Sequence, residues 1–294
     1  MVFGFSTILF NKSKDLTAGH IAAIERTGVK LLEIAPFHKV SDVVLEYTRK
    51  NVLKIFSIHA DYLNSDISSD DEAIRKKSID NIKTDIDKAN YFGAKVVVVH
   101  PGKWTPQIQK RKSRLKNSIE SLIDIVSFSA KKNIKIAVEN LPTEFLCDNY
   151  NELHYIISGV KDFFIKKEKY FYADSIGVCI DTGHAFLTKS IDEFILNFSN
   201  DILSIHIHDN KGDNGNDRSI GGDDLHCMPG FGSINWDLFF ESLKVIKYKN
   251  PLILEVMTVD GNNKDSKQVI PKITEFMKYR VKMVNKIFKI KIDI

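Results

Sequence analysis

Cysteine is scarce in this chain. Cys147, Cys179 and Cys227 are its only three in 294 residues, widely spaced and with no CxxC pair. That argues against a disulfide framework and leads us to expect a reducing, cytoplasmic setting. Long apolar runs are lacking too. None approaches the ~20 residues a membrane span needs, so no membrane partner is expected. The opening stretch, MVFGFSTILFNKSK, has neither a basic start nor a small-residue cleavage site, and reads as a first buried strand rather than a signal sequence. Nor is charge of one sign in excess. Lys and Arg number 42 against 38 Asp and Glu, a net charge of +4. Such a balance neither requires nor excludes nucleic acid, because a local basic face can exist on a near-neutral protein. The most basic segment, KYRVKMVNKIFKIKI at 278–292, has apolar residues at helical spacing and reads as a solvated outer helix. With no linker, low-complexity tract or internal repeat, one domain over 1–294 is expected. No apolar stripe commits the chain to a dimer or to an obligate protein partner.

What is present is a regular alternation. Hydrophobic residues make up 43% of the chain, enough for a sizeable core. Short β-branched runs predict strands at 2–7, 29–34, 54–59, 95–100, 135–139, 177–181, 202–208 and 252–255. Longer stretches with apolar residues three and four apart predict helices at 71–91, 111–132, 236–247 and 269–288. The runs VVVV and LILEV are apolar on both faces, as in parallel strands covered on both sides. This pattern predicts an α/β fold, a single (β/α)8 TIM barrel. The competing open, doubly wound sheet is disfavoured because no GxGxxG follows the first strand. The polar, glycine-rich segment 212–222, between the seventh strand and a helix, predicts a long loop on a binding face.

The histidines and carboxylates fall in a pattern of their own. His59, His100, Glu139, Asp181, His206 with His208, and Glu255 stand at the ends of six successive predicted strands. His184 follows Asp181 by three residues, and the loop after the seventh strand adds Asp224 and His226. A barrel gathers the C-terminal ends of its strands on one face, so these residues are expected to converge. Imidazoles with carboxylates ligate Zn²⁺ and, with more oxygen, Mn²⁺ or Fe²⁺. The bland reading of any one of them is a hydrogen-bonded structural histidine or an ion pair. A whole series would need a separate reason for each buried ionisable group, and a metal site is the simpler account. His208 is left open between direct ligand and partner behind the ligands. Asp209 and Asn210 are expected to cap a turn or orient ligands. His20 and His154 fall in helical patterns and are read as surface residues, while His38 is a candidate for the rim. Tyr62, Lys103, Trp104 and Lys211, with His208, are candidates for contacting the substrate, by gripping a phosphate or stacking on it.

These motifs resemble the xylose isomerase-like barrels that include endonuclease IV and the sugar-phosphate isomerases and epimerases. The resemblance runs from about residue 54 to 255. It is carried by HADYLN, VVVHPG, AVEN, GVCIDTGHAF, HIHDN, DLH followed by PGFG, and LILEV. It implies up to three divalent ions, zinc foremost, with manganese as the other option. One would be held by His59, His100 and Glu139. A second would lie between Glu139, Asp181, His206 and Glu255, and a third between His184, Asp224 and His226. Glu139 and Glu255 would be catalytic. The substrates implied are abasic DNA or a small sugar-phosphate diester, hydrolysed at phosphorus with Glu139 bridging two ions. The alternative is isomerisation or epimerisation of a sugar or sugar phosphate, which needs only the second ion and a carboxylate that moves a proton. A metal-binding barrel without turnover is the non-enzymatic reading. Tyr62 and Leu63 match a pair found in the repair enzymes. The loop APFHKVSD after the second strand departs from them, because it has no arginine where they carry a DNA-inserting basic residue. The overall wording sits closer to the isomerase branch.

Overall fold

The computed structural model describes residues 2–50, 53–262 and 267–276. Runs such as Val96–Val99, β-branched and buried at every position, form strands because their side chains pack on both faces of a pleated ribbon. Eight strands close into one parallel barrel: β1 Phe3–Ser6, β2 Leu31–Ile34, β3 Lys54–His59, β4 Val96–Val99, β5 Lys135–Glu139, β6 Ile176–Asp181, β7 Ile202–Ile207 and β8 Leu252–Leu254. Each pairs with its sequence neighbours, and β1 closes the ring by pairing Phe3 with Leu252 on one side and Gly4 with Leu31 on the other. The chain is thus a (β/α)8 barrel, with a strand in every window where one was expected.

Helices α1 Ala18–Glu25, α2 Asp42–Lys50, α3 Glu72–Phe92, α4 Ile108–Ala130, α5 Tyr150–Ile165, α6 Tyr170–Ala173, α7 Thr182–Leu187, α8 Ile191–Asn197 and α9 Trp236–Val245 lie between the strands. The longest are legible in the sequence because their apolar spacing is strict. In α3, Ile82, Ile86 and Ala89 face inward, and each such isoleucine contributes about 1.5–3 kcal/mol of burial. The Asp71 side chain caps its start, accepting from the amides of Ala73 and Ile74 at 2.8 and 3.1 Å, and Gly93 at φ 78° ends it. A separate two-residue ladder pairs Asp15–Leu16 with Lys39–Val40, too short to show a period. Of the helix expected at 269–288, residues 267–276 are helical. Its remainder and the basic segment at 278–292 lie outside the described residues. Segment 212–222 is a loop holding one 3-10 turn, Arg218–Ile220. Among the described residues no helix is long and apolar enough to cross a membrane.

The main core lies between the strands and the helices. The barrel interior is different. Two residues below His59, Glu139 and Asp181, on the same face of each strand, are Ser57, Ala137 and Cys179. Gly4 is small for the same reason: a Cβ there would lie 2.5 Å from Ile253 Cδ1. A narrow floor of small side chains therefore supports a polar layer at the strand ends.

Candidate metal centre

Glu139 ends β5 almost fully buried, and three histidines converge on it. Its Oε2 lies 3.0 Å from His59 Nε2 and 3.2 Å from His100 Nε2, and its Oε1 lies 3.1 Å from His206 Nδ1. His206 Nδ1 is also 2.9 Å from Glu255 Oε2. On the adjoining side, Asp224 Oδ2 lies 3.0 Å from His184 Nε2 and 2.9 Å from His226 Nε2. Three groups result, each with one ligand atom per residue within 4.8 Å of the others: His59, His100 and Glu139; Glu139, Asp181, His206 and Glu255; and His184, His208, Asp224 and His226. All nine strand-end and loop residues expected at a metal site are brought together.

Local structure aims these side chains. His184 Nδ1–H donates to the Asn140 carbonyl at 2.9 Å, and His226 Nδ1–H to the Glu255 carbonyl at 2.8 Å. His59 Nδ1 does likewise to the Ala60 carbonyl at 3.0 Å. Each bond leaves Nε2 facing the carboxylates. His226 sits at φ 45°, a left-handed conformation uncommon outside glycine. Asp181 caps α7 by accepting from the His184 amide at 2.8 Å. The intervening Gly183 is required because a Cβ would come 1.9 Å from His208 Cε1.

The electrostatics fit cations. Burial opposes charge on His59, but the hydrogen bond and charge of Glu139 hold its pKa up at about 9. Asp224 does the same for His226, also at about 9. At His100 burial prevails and the pKa falls to about 4. Burial raises Glu139, yet the charge of His206 and hydrogen bonds from its histidines hold it well below the usual carboxylate range. The carboxylates therefore keep protons on His59 and His226, in positions a divalent cation would take. Asp224 Oδ1 is buried with no hydrogen-bond partner, a spare acceptor within the third group. Donor types, spacing and the spare oxygen all fit divalent ions of the zinc or manganese kind.

The other candidates divide. His208 Nε2 lies 2.9 Å from both Asp181 oxygens and 3.7 Å from Asp224 Oδ1, and its ring stacks on His226 with centroids 4.0 Å apart. It therefore spans the second and third groups. Tyr62 stacks on His100 with centroids 4.6 Å apart and 17° between planes, at the mouth of the site. Lys103 does not point freely at the site: its ammonium donates to the Tyr62 and Leu63 carbonyls and ties down that loop. Trp104 is half-exposed and donates to Glu144 Oε2 at 3.4 Å. Lys211 is exposed, its amide held by Asn210 Oδ1 at 2.8 Å. His38 Nε2–H donates to the Thr7 carbonyl at 2.8 Å on the rim. His154 is exposed, but His20 is half-buried, stacks on Phe10 and helps cap α1. Asp209 accepts from the Gly230 and Ile234 amides and from Trp236 Nε1, at 2.7, 3.1 and 2.8 Å, and so anchors the loop before α9.

Two residues escaped the sequence reading. Asn140 joins β5 to β6, accepting from the Asp181 amide at 2.7 Å and donating to its carbonyl at 3.1 Å. Glu33 is fully buried in β2, beside His206. Its only signal was one acid in the apolar run LLEIA.

A closed parallel barrel with imidazoles and carboxylates gathered at its strand ends defines a class of metal-site TIM barrels. The chain belongs to the xylose isomerase-like TIM barrel family, whose model matches residues 21–279. An uncharacterized protein of Methanocaldococcus jannaschii is 28% identical over 263 residues, 88% of this chain and 94% of its own. A probable endonuclease 4 of Bacillus subtilis is 26% identical over 250 residues, 78% of this chain and 76% of its own. Among solved structures, a D-tagatose 3-epimerase-like protein superposes with a TM-score of 0.76 at 24% identity, covering 97% of this chain and 99% of that one. The IOLI protein, solved with a bound zinc atom, gives 0.76 at 18% identity over 99% of this chain and 100% of its own.

Proposed function

We propose that the protein is a divalent-metal-dependent phosphoester hydrolase acting on a sugar-phosphate-containing substrate, either abasic DNA or a small phosphodiester. The observation that carries this reading is the third donor group, His184, Asp224 and His226 with His208 beside it. An isomerase that shifts a proton between neighbouring carbons needs only Glu139, Asp181, His206 and Glu255, and leaves that group without a task. Relatives named probable endonuclease 4 support the same reading. When bound, divalent ions supply polarisation of phosphoryl oxygens, water of lowered pKa and neutralisation of a leaving oxygen.

The chain's own residues orient and bind. Glu139 turns one oxygen to His59 and His100 and the other to His206, so it is the carboxylate shared by two groups. Tyr62 covers His100, and burial raises its phenol pKa further, so it stays a proton donor for a substrate oxygen. A small cleft beside the third group is lined by Asp213, Asp223 and Asp224 with Arg218, whose guanidinium is paired with Asp213.

A second reading, sugar or sugar-phosphate epimerisation, is favoured by one observation. Glu139 and Glu255 face His206 Nδ1 from two sides, at 3.1 and 2.9 Å, as a pair of carboxylates exchanging a substrate proton would. The deciding experiment is elemental analysis of protein purified without chelator or nickel resin, followed by assays on abasic-site duplex, a nitrophenyl phosphodiester, and ketoses with their phosphates. Occupation of all three groups with phosphodiester cleavage supports hydrolysis. One ion per chain with ketose turnover overturns it in favour of epimerisation.

A further inference from the structure

Glu33 has no lysine or arginine partner in β2 or β3. It is fully buried in the barrel interior, where a carboxylate needs a partner. Its Oε2 accepts from Ser57 Oγ at 2.7 Å and lies 3.1 Å from His206 Nε2, while its Oε1 is buried without a hydrogen-bond partner. The backbone is built to bring it there. The β2–β3 register slips by one residue between Leu32 and Glu33, skipping Phe56 and setting Glu33 opposite Ser57. Such irregularities re-aim a side chain.

The consequence falls on His206. An imidazole has one N–H and one free nitrogen when neutral, and its partner decides which is which. With Glu33 as acceptor, one N–H is held at Nε2, and Nδ1 is left facing Glu139 and Glu255, where a cation replacing its proton would meet the lone pair. We propose that Glu33 is a positioning residue of the metal centre, fixing the His206 tautomer and ring orientation so that Nδ1 serves as a ligand in the Glu139, Asp181 and Glu255 group. This rests on the metal-centre reading above. A carboxylate behind a ligating histidine also makes it more basic, and loss of such a partner weakens metal binding by about 10–100-fold.

The test is titration of chelator-treated protein with Co²⁺ against a competing chelator, read by ion count and by the cobalt d–d absorption. Glu33→Gln keeps an acceptor but loses the charge. It is expected to weaken one class of ion by about 10-fold with little spectral change. Glu33→Ala frees the ring and is expected to approach about 100-fold with altered d–d bands. Should Glu33→Ala fail to fold, Glu33→Leu, which also lacks the acceptor, decides. Wild-type affinity and an unaltered spectrum in the variant without an acceptor overturn the inference alone. A wild-type protein that takes up no divalent ion overturns the metal centre, and this inference with it.

Discussion

Glu139 meets three histidines with two oxygens, all of them buried or nearly so. Replacing it with Gln keeps the volume and removes the charge that two donor groups share. Glu139→Gln is expected to lose bound metal and to lower turnover by at least ~100-fold, with its thermal midpoint nearly unchanged once loaded. Near-normal turnover with any divalent metal would remove the shared-ligand role. Lys103 illustrates the opposite case, a lysine expected at the substrate that holds backbone carbonyls instead. Lys103→Met is expected to cost about 1–2 kcal/mol in denaturant unfolding, from the Tyr62 and Leu63 carbonyls it leaves behind. Unchanged stability with a strongly raised KM would return it to a substrate-gripping role.

Two elements set the site's accuracy. The first is α7, whose N-terminus follows Asp181 directly. Gly183→Ala inserts a methyl at a point 1.9 Å from the His208 ring. Helix and ring must move apart, which we expect to cost about 1–3 kcal/mol and to deplete the third group's ion. A variant with full ion content and an unchanged thermal midpoint would show that this close packing does not hold the site. The second element is the pair of register slips, Leu32/Glu33 on one side of the barrel and Val178/Cys179 on the other. The latter sets Asp181 opposite His206. Neither slip is visible in the sequence, because a single-residue shift changes pairing partners without changing the apolar pattern.

At the scale of the whole molecule, the site makes stability depend on pH. His59 and His226 hold folded-state pKa values of about 9 against an ordinary 6.5. The folded state therefore binds more protons than the unfolded chain between these values. Their contribution is fully present below pH 6.5 and is lost as pH rises through about 9. Chelator-treated protein is expected to show a falling thermal midpoint across that window. Divalent ions should abolish the fall, because a cation takes the place of the protons. A flat profile for the chelated protein, measured by scanning fluorimetry in steps of pH, would contradict this balance of charge.

The sequence by itself determined the barrel and the strand-end ligands of its polar layer, though not Asn140 or Glu33. Strand and helix periods are local properties of the chain, and a parallel barrel of this kind has no other face for its strand ends. His59, His100, Glu139, Asp181, His206 and Glu255 could be read for that reason alone. Only the tertiary structure decided which atoms meet. Whether His208 faces Asp181, whether Lys103 reaches a substrate or the Tyr62 carbonyl, and that Glu33 stands behind His206 depend on register and side-chain direction across strands distant in sequence. A lone acid in an apolar strand reveals that it needs a partner, but the partner lies 173 positions away and is chosen by the closing of the ring.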